Sequence, residues 1–436
     1  MAPTAVRPDL GTGQGARAIG PLSAGEAAAT ILEALRRQPS LRLPLDDALG
    51  SVLAEPVTSP VNIPAWTNSA MDGYATRGAE VRGATREAPI RLRVVEQIAA
   101  GQFPSRTIGP GECARIFTGA PLPAGADSVI RQEDTDLGTD TVLVLHDRDA
   151  GVNIRRVGED IAAGALVLEA GTTLGPAELG VLASLAVAHP VVYRSPRVAI
   201  LGSGDEIVDV DQPEEILSGR KVASSNTHTL MALVRMAGGT PVNLGIARDT
   251  PDSIRQHLAG AAGCDLLVTT AGISVGEHDH LRAVIERLGG ELRFWKLRMR
   301  PGAPVGFGFL QGMPWIGLPG NPVSTMVTFE LFVRPAIRRM AGHRLPFRQA
   351  TRVRVEAAIH LSPKLQHFLR AIVTPGEPGS IPGVRLTGPQ GSGILTSMVR
   401  ANALLIVPEG QHQTPEGALA DALVLDDPRH QAEAPF

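Results

Sequence analysis

Carboxylates recur in this chain beside glycine, serine and proline, a pairing that suits phosphate and divalent-metal chemistry. Asp205 and Glu206 close Gly202-Ser-Gly-Asp-Glu, and Asp249 follows Arg248. Glu277 and Asp279 follow Gly272-Ile-Ser-Val-Gly276. Upstream lie Asp72, in Asn68-Ser-Ala-Met-Asp-Gly-Tyr74, and Asp160, in Gly158-Glu-Asp-Ile. Hard carboxylate oxygens suit Mg²⁺, which bridges protein carboxylates and substrate phosphates. The Gly272–Gly276 turn, with Ser274 in it, and the Pro319-Gly320-Asn321-Pro322-Val-Ser324 turn each offer backbone N–H groups ahead of a helix, where anions are attracted. In Trp295-Lys-Leu-Arg-Met-Arg-Pro-Gly, Lys296 and Arg300 are expected to alternate along one strand and face one side, where they could neutralise a dianion. Taken singly, each of these residues is equally a cap, a turn or a solvated strand end. Their shared position along the chain is the signal.

That position depends on the elements around them. From residue 197 to about 342, strand alternates with helix. Arg197-Val-Ala-Ile-Leu, Pro241 to Ile246 and Cys264-Asp-Leu-Leu-Val-Thr-Thr read as buried strands, followed by helices from Thr227, Pro251 and residue 279. Further strands are expected at 291–297, 306–310 and 315–317, and a long helix from Ser324 to Met340. This pattern makes a largely parallel sheet covered on both faces. Ligands bind such sheets beyond the carboxyl ends of the strands. Four polar loops, 202–206, 248–251, 269–279 and 318–324, fall on that one edge.

Around this core the chain reads differently. Residues 1–21 resemble a flexible tail, and Ser23-x-x-Glu26 opens a helix with a capping box. Asp46 or Asp47 is expected to cap a short helix ending before Pro56, and Pro60 to Trp66 reads as an extended linker. Residues 59–150 carry short β patterns, 151–192 return to mixed character with a helix from Pro176, and 346–436 read as β again, in a small barrel.

Composition narrows the function classes. The 436 residues imply several domains, and 43% hydrophobic with 19% charged residues is enough to bury real cores. The net charge of −3 argues against a protein built to grip nucleic acid, and no apolar run reaches the ~20 residues of a membrane helix. With no secretory leader visible, a cytoplasmic chain is expected. The two cysteines, Cys113 and Cys264, rule out a disulfide framework and a four-cysteine zinc site, and both are expected in apolar strands of the core. Gly11-x-Gly13-x-Gly15 has no strand before it, so it is no nucleotide fingerprint. His278 and His280 stand at i and i+2, which does not converge on a metal.

Six ordered stretches carry a resemblance: Asn68-Ser-Ala-Met-Asp-Gly-Tyr-Ala75, Arg115-Ile-Phe-Thr-Gly-Ala-Pro-Leu-Pro123, Asn153-Ile-Arg-Arg-x-Gly-Glu-Asp160, Gly204-Asp-Glu206, Gly272-Ile-Ser-Val-Gly-Glu-x-Asp279 and Gly317-Leu-Pro-Gly-Asn-Pro-Val-Ser324. The chain resembles the molybdopterin molybdenumtransferase family, the MoeA and gephyrin E-domain group, from about residue 22 to its end. The resemblance implies a multidomain α/β plus β protein. Residues 193–345 would form a central, mostly parallel α/β domain of the molybdopterin-binding kind. A β domain at 59–150, a discontinuous linker and dimerisation domain at 22–58 and 151–192, and a C-terminal β-barrel at 346–436 would flank it. It implies insertion of molybdate into adenylylated molybdopterin with Mg²⁺-dependent release of AMP, by a homodimer with shared active sites.

Carried over by position, Asp72, Thr118, Asp160, Glu206, Asp249 and Asp279 match family residues tied to activity. Glu206, Asp249 and Asp279 are the implied metal ligands. Asp72 and Thr118 would reach in from the partner subunit. For Asp160 two places stay open, the domain junction or the substrate. Gly272, Ser274, Gly276, Lys296, Arg300 and the Pro319–Pro322 turn would hold substrate. Ser324, Arg370 and Ser392 match residues near molybdate. Two departures stand out: Ala303, where the family often carries lysine, leaves the molybdate-versus-tungstate preference open, and Ala271 replaces a usual glycine. The competing readings are a non-catalytic molybdopterin-binding scaffold and a molybdopterin adenylyltransferase. The adenylyltransferase would need only the α/β domain, and it is also the partner that would supply substrate.

Overall fold

The computed structural model describes residues 21–270, 280–377 and 379–425. The chain folds as two compact units. One comprises the described residues up to Arg42, 50–54 and 191 onward; the other comprises 43–49 and 55–190.

The first element is α1 (Ala24–Ala34), whose Ser23 and Glu26 form the expected reciprocal capping box. Its Ala24, Ala27 and Ile31 are buried in the main core. The predicted second helix shrinks to a single 3₁₀ turn, Leu45–Asp47. Asp46 and Asp47 lie inside that turn and Pro44 precedes it, with no side-chain cap.

In the 55–190 unit, β1 (Gly73–Thr76), β2 (Ile90–Ile98), β3 (Glu112–Ile116), β4 (Ser128–Arg131) and β5 (Thr141–Val144) form one sheet in the order β4-β1-β3-β2-β5. Alternation puts Tyr74, Cys113, Ile130 and Val142 in one core, and Ala75, Ala114, Ile116 and Val129 in another on the opposite face. The Pro60–Trp66 stretch is no linker. Ile63 bridges Ile161, and its carbonyl accepts from the backbone N–H groups of Asp160 and Ile161. The helix expected from Pro176 is α2 (Pro176–Ser184), with proline in its first turn, where a missing N–H costs nothing.

The other unit is built on β6 (Arg197–Ser203), α3 (Ser225–Met236), β7 (Thr240–Ala247), α4 (Pro251–Leu258), β8 (Leu266–Thr270), α5 (His280–Arg287), β9 (Glu291–Phe294), β10 (Gly306–Leu310) and β11 (Met313–Leu318). The sheet order is β7-β6-β8-β11-β10-β9. The first four strands are parallel, β10 runs antiparallel to β11, and β9 pairs antiparallel with β10 and so runs with the first four. Cores lie on both faces of this sheet, as a two-sided α/β sheet requires. From β6 the chain crosses to β7 on one side and to β8 on the other, which opens a crevice at their carboxyl ends.

The long helix expected up to Met340 is instead α6 (Pro322–Thr328), a π turn at Phe329–Val333 and α7 (Arg334–Met340). Pro335 explains the break, because it cannot donate an N–H to the preceding turn. Beyond it, β12 (Ala350–Val355), β13 (Gln366–Thr374), β14 (Gly383–Leu386), β15 (Ala403–Val407) and β16 (Leu419–Val424) close into a barrel through the β13–β15 pairing. Phe368 and Leu404 of the barrel belong to the same buried cluster as β6, β8 and α6. Cys113 is fully buried in β3, whereas Cys264 is half-exposed just before β8 and packs beside a core cluster, so it is not a buried strand residue.

Candidate active site

A pocket of about 480 Å³ opens at the carboxyl ends of β6, β8 and β11. Ser203 ends β6, Thr270 ends β8, and Pro319 and Gly320 follow β11; all four line it. Glu206 enters from the loop after β6, and Ser224, Ser225 and Asn226 enter from the start of α3. Asn321, Pro322 and Pro304 add to the wall, with Ile207, Val222 and Ala223 as its apolar part. Of the sequence-predicted residues, this edge therefore gathers Glu206, Pro319, Gly320, Asn321 and Pro322.

Local bonds fix the walls. Gly204 sits at φ +140°, a backbone conformation that L side chains rarely adopt, so glycine suits the position ahead of the acidic pair. Asp249 N–H donates to Asp205 Oδ1 (3.2 Å), and Asp205 N–H donates to Asp249 Oδ2 (3.4 Å). The loops after β6 and β7 are thereby laced together. Lys221 Nζ donates to the Asp205 carbonyl at 2.6 Å. Asn226 Nδ2 donates to the Gly320 carbonyl at 2.7 Å, which ties the first turn of α3 to the Pro-Gly-Asn-Pro turn. Thr325 Oγ1 donates to the Pro319 carbonyl at 2.6 Å and holds that turn from behind. Ser324 is buried one step deeper, and its carbonyl accepts from Thr328 Oγ1.

The cations fall elsewhere than expected. Strand β9 ends at Phe294, and Met299–Arg300 pairs with Gln366–His367 of the barrel. Lys296 and Arg300 are both exposed, but they do not alternate on one strand. The chain leaves the α/β sheet after Phe294, so Lys296 lies in the connection and Arg300 on the barrel pairing. Arg370 is only 1% exposed. Its guanidinium donates to Ser397 Oγ (3.0 Å) and to the carbonyls of Gln390 (3.2 Å), Pro389 (3.4 Å) and Gly391 (2.9 Å). The Ser392 carbonyl, next along that loop, accepts from Val323 N–H at 3.1 Å. Arg370 thus shapes the loop that Ser392 docks onto the start of α6.

In the other unit, Asp72 and Thr118 come together. Asp72 Oδ1 accepts from both the backbone N–H and the Oγ1 of Thr118, each at 2.8 Å. The Thr118 N–H, then its hydroxyl, hold the Asp72 carboxyl below the usual carboxylate range. Asp160 is exposed on a loop of the same unit.

Gly272, Ser274, Gly276 and Asp279, together with Ala271, Glu277 and His278, lie outside the described residues. Among the described residues no group of three side chains is arranged to hold a metal ion. Asp249 and Glu206 nonetheless stand on loops at one sheet edge, and Mg²⁺ commonly takes only one or two protein carboxylates beside substrate phosphates. The donor set therefore fits such an ion. Sequence reasoning placed Ser203 and Thr270 in the polar loops without giving either a role, and it passed over the Ser224-Ser225-Asn226 run. That run of small polar residues before an apolar-periodic stretch is a helix-start signal, and it places α3 two residues ahead of the Thr227 start.

Comparison with known proteins adds a second line. Residues 22–186 match the family model described as MoeA N-terminal region (domain I and II). Residues 199–339 match "Probable molybdopterin binding domain", and 352–425 match MoeA C-terminal region (domain IV). A curated protein of Nostoc sp. named molybdopterin molybdenumtransferase is 36% identical over 87% of this chain and 87% of its own. One of Bacillus subtilis with the same name is 32% identical over 93% of this chain and 94% of its own. The crystal structure of a molybdopterin biosynthesis MoeA protein from Pyrococcus horikoshii superposes with a TM-score of 0.78 at 28% identity, covering 92% of this chain and 99% of that one.

Proposed function

The chain belongs to the molybdopterin molybdenumtransferase family, and on that premise we propose that it is a transferase of molybdenum cofactor biosynthesis, which inserts molybdate into adenylylated molybdopterin and releases AMP. The observation that carries this reading is the 480 Å³ pocket. It stands at the strand ends of the stretch matched to the molybdopterin-binding domain, with Glu206 and the Pro-Gly-Asn-Pro turn in its walls.

The chemistry brings like charges together, a molybdate dianion and a diphosphate. Oriented donors offset that repulsion without reorganising. Ser224, Ser225 and Asn226 at the start of α3, and the turn 319–322, supply such donors. The bond from Asn226 to Gly320 keeps the two sets in register. Glu206 accepts hydrogen bonds from the substrate. Asp72, ionised and held by Thr118, accepts hydrogen bonds and donates none. No side chain forms a covalent bond: an oxygen of molybdate or water bonds to the pterin-side phosphorus as the bridging P–O bond breaks and AMP leaves with its electron pair. The two dithiolene sulfurs bond to molybdenum as one Mo–O bond breaks, that oxygen leaving as water with the two thiol protons or, where it was the attacking atom, staying on phosphate while the protons pass to solvent. A bound Mg²⁺ would neutralise phosphate charge and improve the leaving group. Asp249, Glu206 and Asp279 are the residues to hold it.

We further propose a cytoplasmic homodimer whose active sites are shared, supplied with substrate by a molybdopterin adenylyltransferase. The division of the activity-linked residues supports sharing, since Asp72 and Thr118 sit in one compact unit and Glu206 and Asp249 in the other. Along the sequence we keep the division 22–58 with 151–192, 59–150, 193–345 and 346–436 as functional domains.

The deciding experiment measures AMP release from adenylylated molybdopterin and Mg²⁺ with molybdate, with tungstate and with neither. Molybdate-dependent release, abolished in Glu206→Gln and Asp279→Ala, is expected. Release with tungstate alone would move the metal preference to the Ala303 departure. Binding without AMP under any oxyanion would overturn the enzyme reading in favour of a scaffold. Pyrophosphate release from ATP would indicate an adenylyltransferase.

A further inference from the structure

A second pocket, of about 500 Å³, lies in the 55–190 unit, lined in part by Tyr74, Glu96, Gln97, Arg115, Gln132 and Thr139. Arg115 is its cation. The side chain stacks between two rings, with Cζ 4.9 Å from the Tyr74 centroid and 5.2 Å from that of Phe117. Its Nη2 donates to Gln132 Oε1 at 2.7 Å. Its Nη1 is buried with no hydrogen-bond partner, and the carboxylate its charge reaches, Asp72, already accepts both Thr118 donors on Oδ1. Ring stacking offsets part of the charge but accepts no strong hydrogen bond. Glu96 is the carboxylate of the wall among the described residues, and its oxygens already accept from Ser105 N–H (2.8 Å), Ser105 Oγ (2.7 Å) and Arg106 N–H (3.2 Å). Gln97, Gln132 and Thr139 add uncharged donors.

The register links this pocket to Asp72. Tyr74 pairs with Arg115 across β1 and β3, and Gln97 pairs with Arg115 across β2 and β3. Asp72 directly precedes β1, and the Arg115 charge is one of the causes that lower its carboxyl pKa, after the two Thr118 hydrogen bonds. The Asp72–Thr118 pair therefore stands within electrostatic reach of the Arg115 guanidinium.

We propose that this pocket is an oxyanion subsite, in which the Arg115 guanidinium receives a phosphate group of a small molecule. Arginine suits this role because its planar fork matches two phosphate oxygens at once. Nη1 is closed to solvent, so an acceptor gains this unpaired N–H as the wall shifts and as Gln132 yields its bond to Nη2. As for the natural ligand, the inference rests on the proposed reaction, whose substrate carries a diphosphate. The subsite itself does not depend on turnover.

Hydrogen–deuterium exchange on the full-length protein, with inorganic phosphate or AMP as the probe, localises the binding, and titration calorimetry measures it. Protection of residues 112–118 and 130–139 is expected with AMP. The same protection with inorganic phosphate alone would show that the subsite reads phosphate and not nucleoside. Arg115→Gln should weaken binding about tenfold. Thr139→Glu, an exposed change that adds a negative charge at the pocket without touching the packed rings, should weaken it about threefold. Circular dichroism checks that Arg115→Gln folds, and Thr139→Glu carries the test if it does not. Protection confined to 203–208 and 319–326, or affinity unchanged in a folded Arg115→Gln and in Thr139→Glu, would overturn the subsite and leave the proposed reaction standing. Intact phosphate protection without molybdate-dependent AMP release would do the reverse.

Discussion

Thr118 decides how Asp72 ionises. With two donors on one oxygen, the folded pKa lies below the unfolded value. The contact is therefore fully stabilising above about pH 4 and is lost as pH falls through the lower folded value. Between about pH 5 and pH 8 the carboxylate stays charged, so the pH profile of kcat in that range should contain no limb from Asp72. Thr118→Val should lower kcat roughly tenfold at every pH in that window, because a charge-assisted hydrogen bond to the carboxylate is lost and not a proton. A limb that moves in Thr118→Val would show that Asp72 titrates during turnover. The two cysteines make a simpler case at the same scale. Burial in β3 pushes the Cys113 thiol up to about 12, while Cys264 is half-exposed. A thiol reagent at pH 8 should titrate one group in the folded protein and two in denaturant.

At the scale of elements, the Asp-Gly-Tyr stretch needs its glycine for packing. A Cβ on Gly73 would lie 1.9 Å from the Ile130 carbonyl oxygen, because β1 and β4 approach closely there. Gly73→Ala should destabilise the 55–190 unit by about 3 kcal/mol, visible as a lower urea midpoint, and should disturb the neighbouring Asp72 as well. Such close approach cannot be read from sequence, though the motif that carries it can. The α/β half was legible because its strands are buried on both faces and appear as apolar runs, each ending in a polar loop. Glu206 and Pro319–Pro322 followed from that edge. Lys296 and Arg300 did not, because alternation was extended past Phe294, where the strand ends and the chain passes to the barrel. Asn226 was missed for the opposite reason: the apolar spacing begins at Thr227, and the capping residues before it were given no weight. Asn226→Ala should cost about 1 kcal/mol in stability through the lost bond to Gly320, while raising KM for the pterin substrate more than it lowers kcat.

At the scale of the whole molecule, the partition into two compact units was not legible, because it rests on pairings far apart in sequence. Leu53 bridges Val192, and Ser40–Arg42 pairs with Val191–Tyr193, so residues 50–54 join one unit while 43–49 and 55–190 form the other. The side chains proposed to carry the activity are divided by that same partition, and the division yields a test of the proposed shared-site dimer. Asp72→Ala disables the contribution of one unit and Glu206→Ala that of the other, and each variant alone should be inactive. If a site combines one unit from each protomer, a mixed dimer holds one site with both defects and one with neither. Unfolding and refolding the two variants together makes about half the dimers mixed, so activity should recover to about one quarter of the wild-type value. If each chain completes its own site, every site in every dimer carries one defect, and mixing restores nothing. Because both variants are inactive alone, recovered AMP release measures only the sharing of sites between protomers.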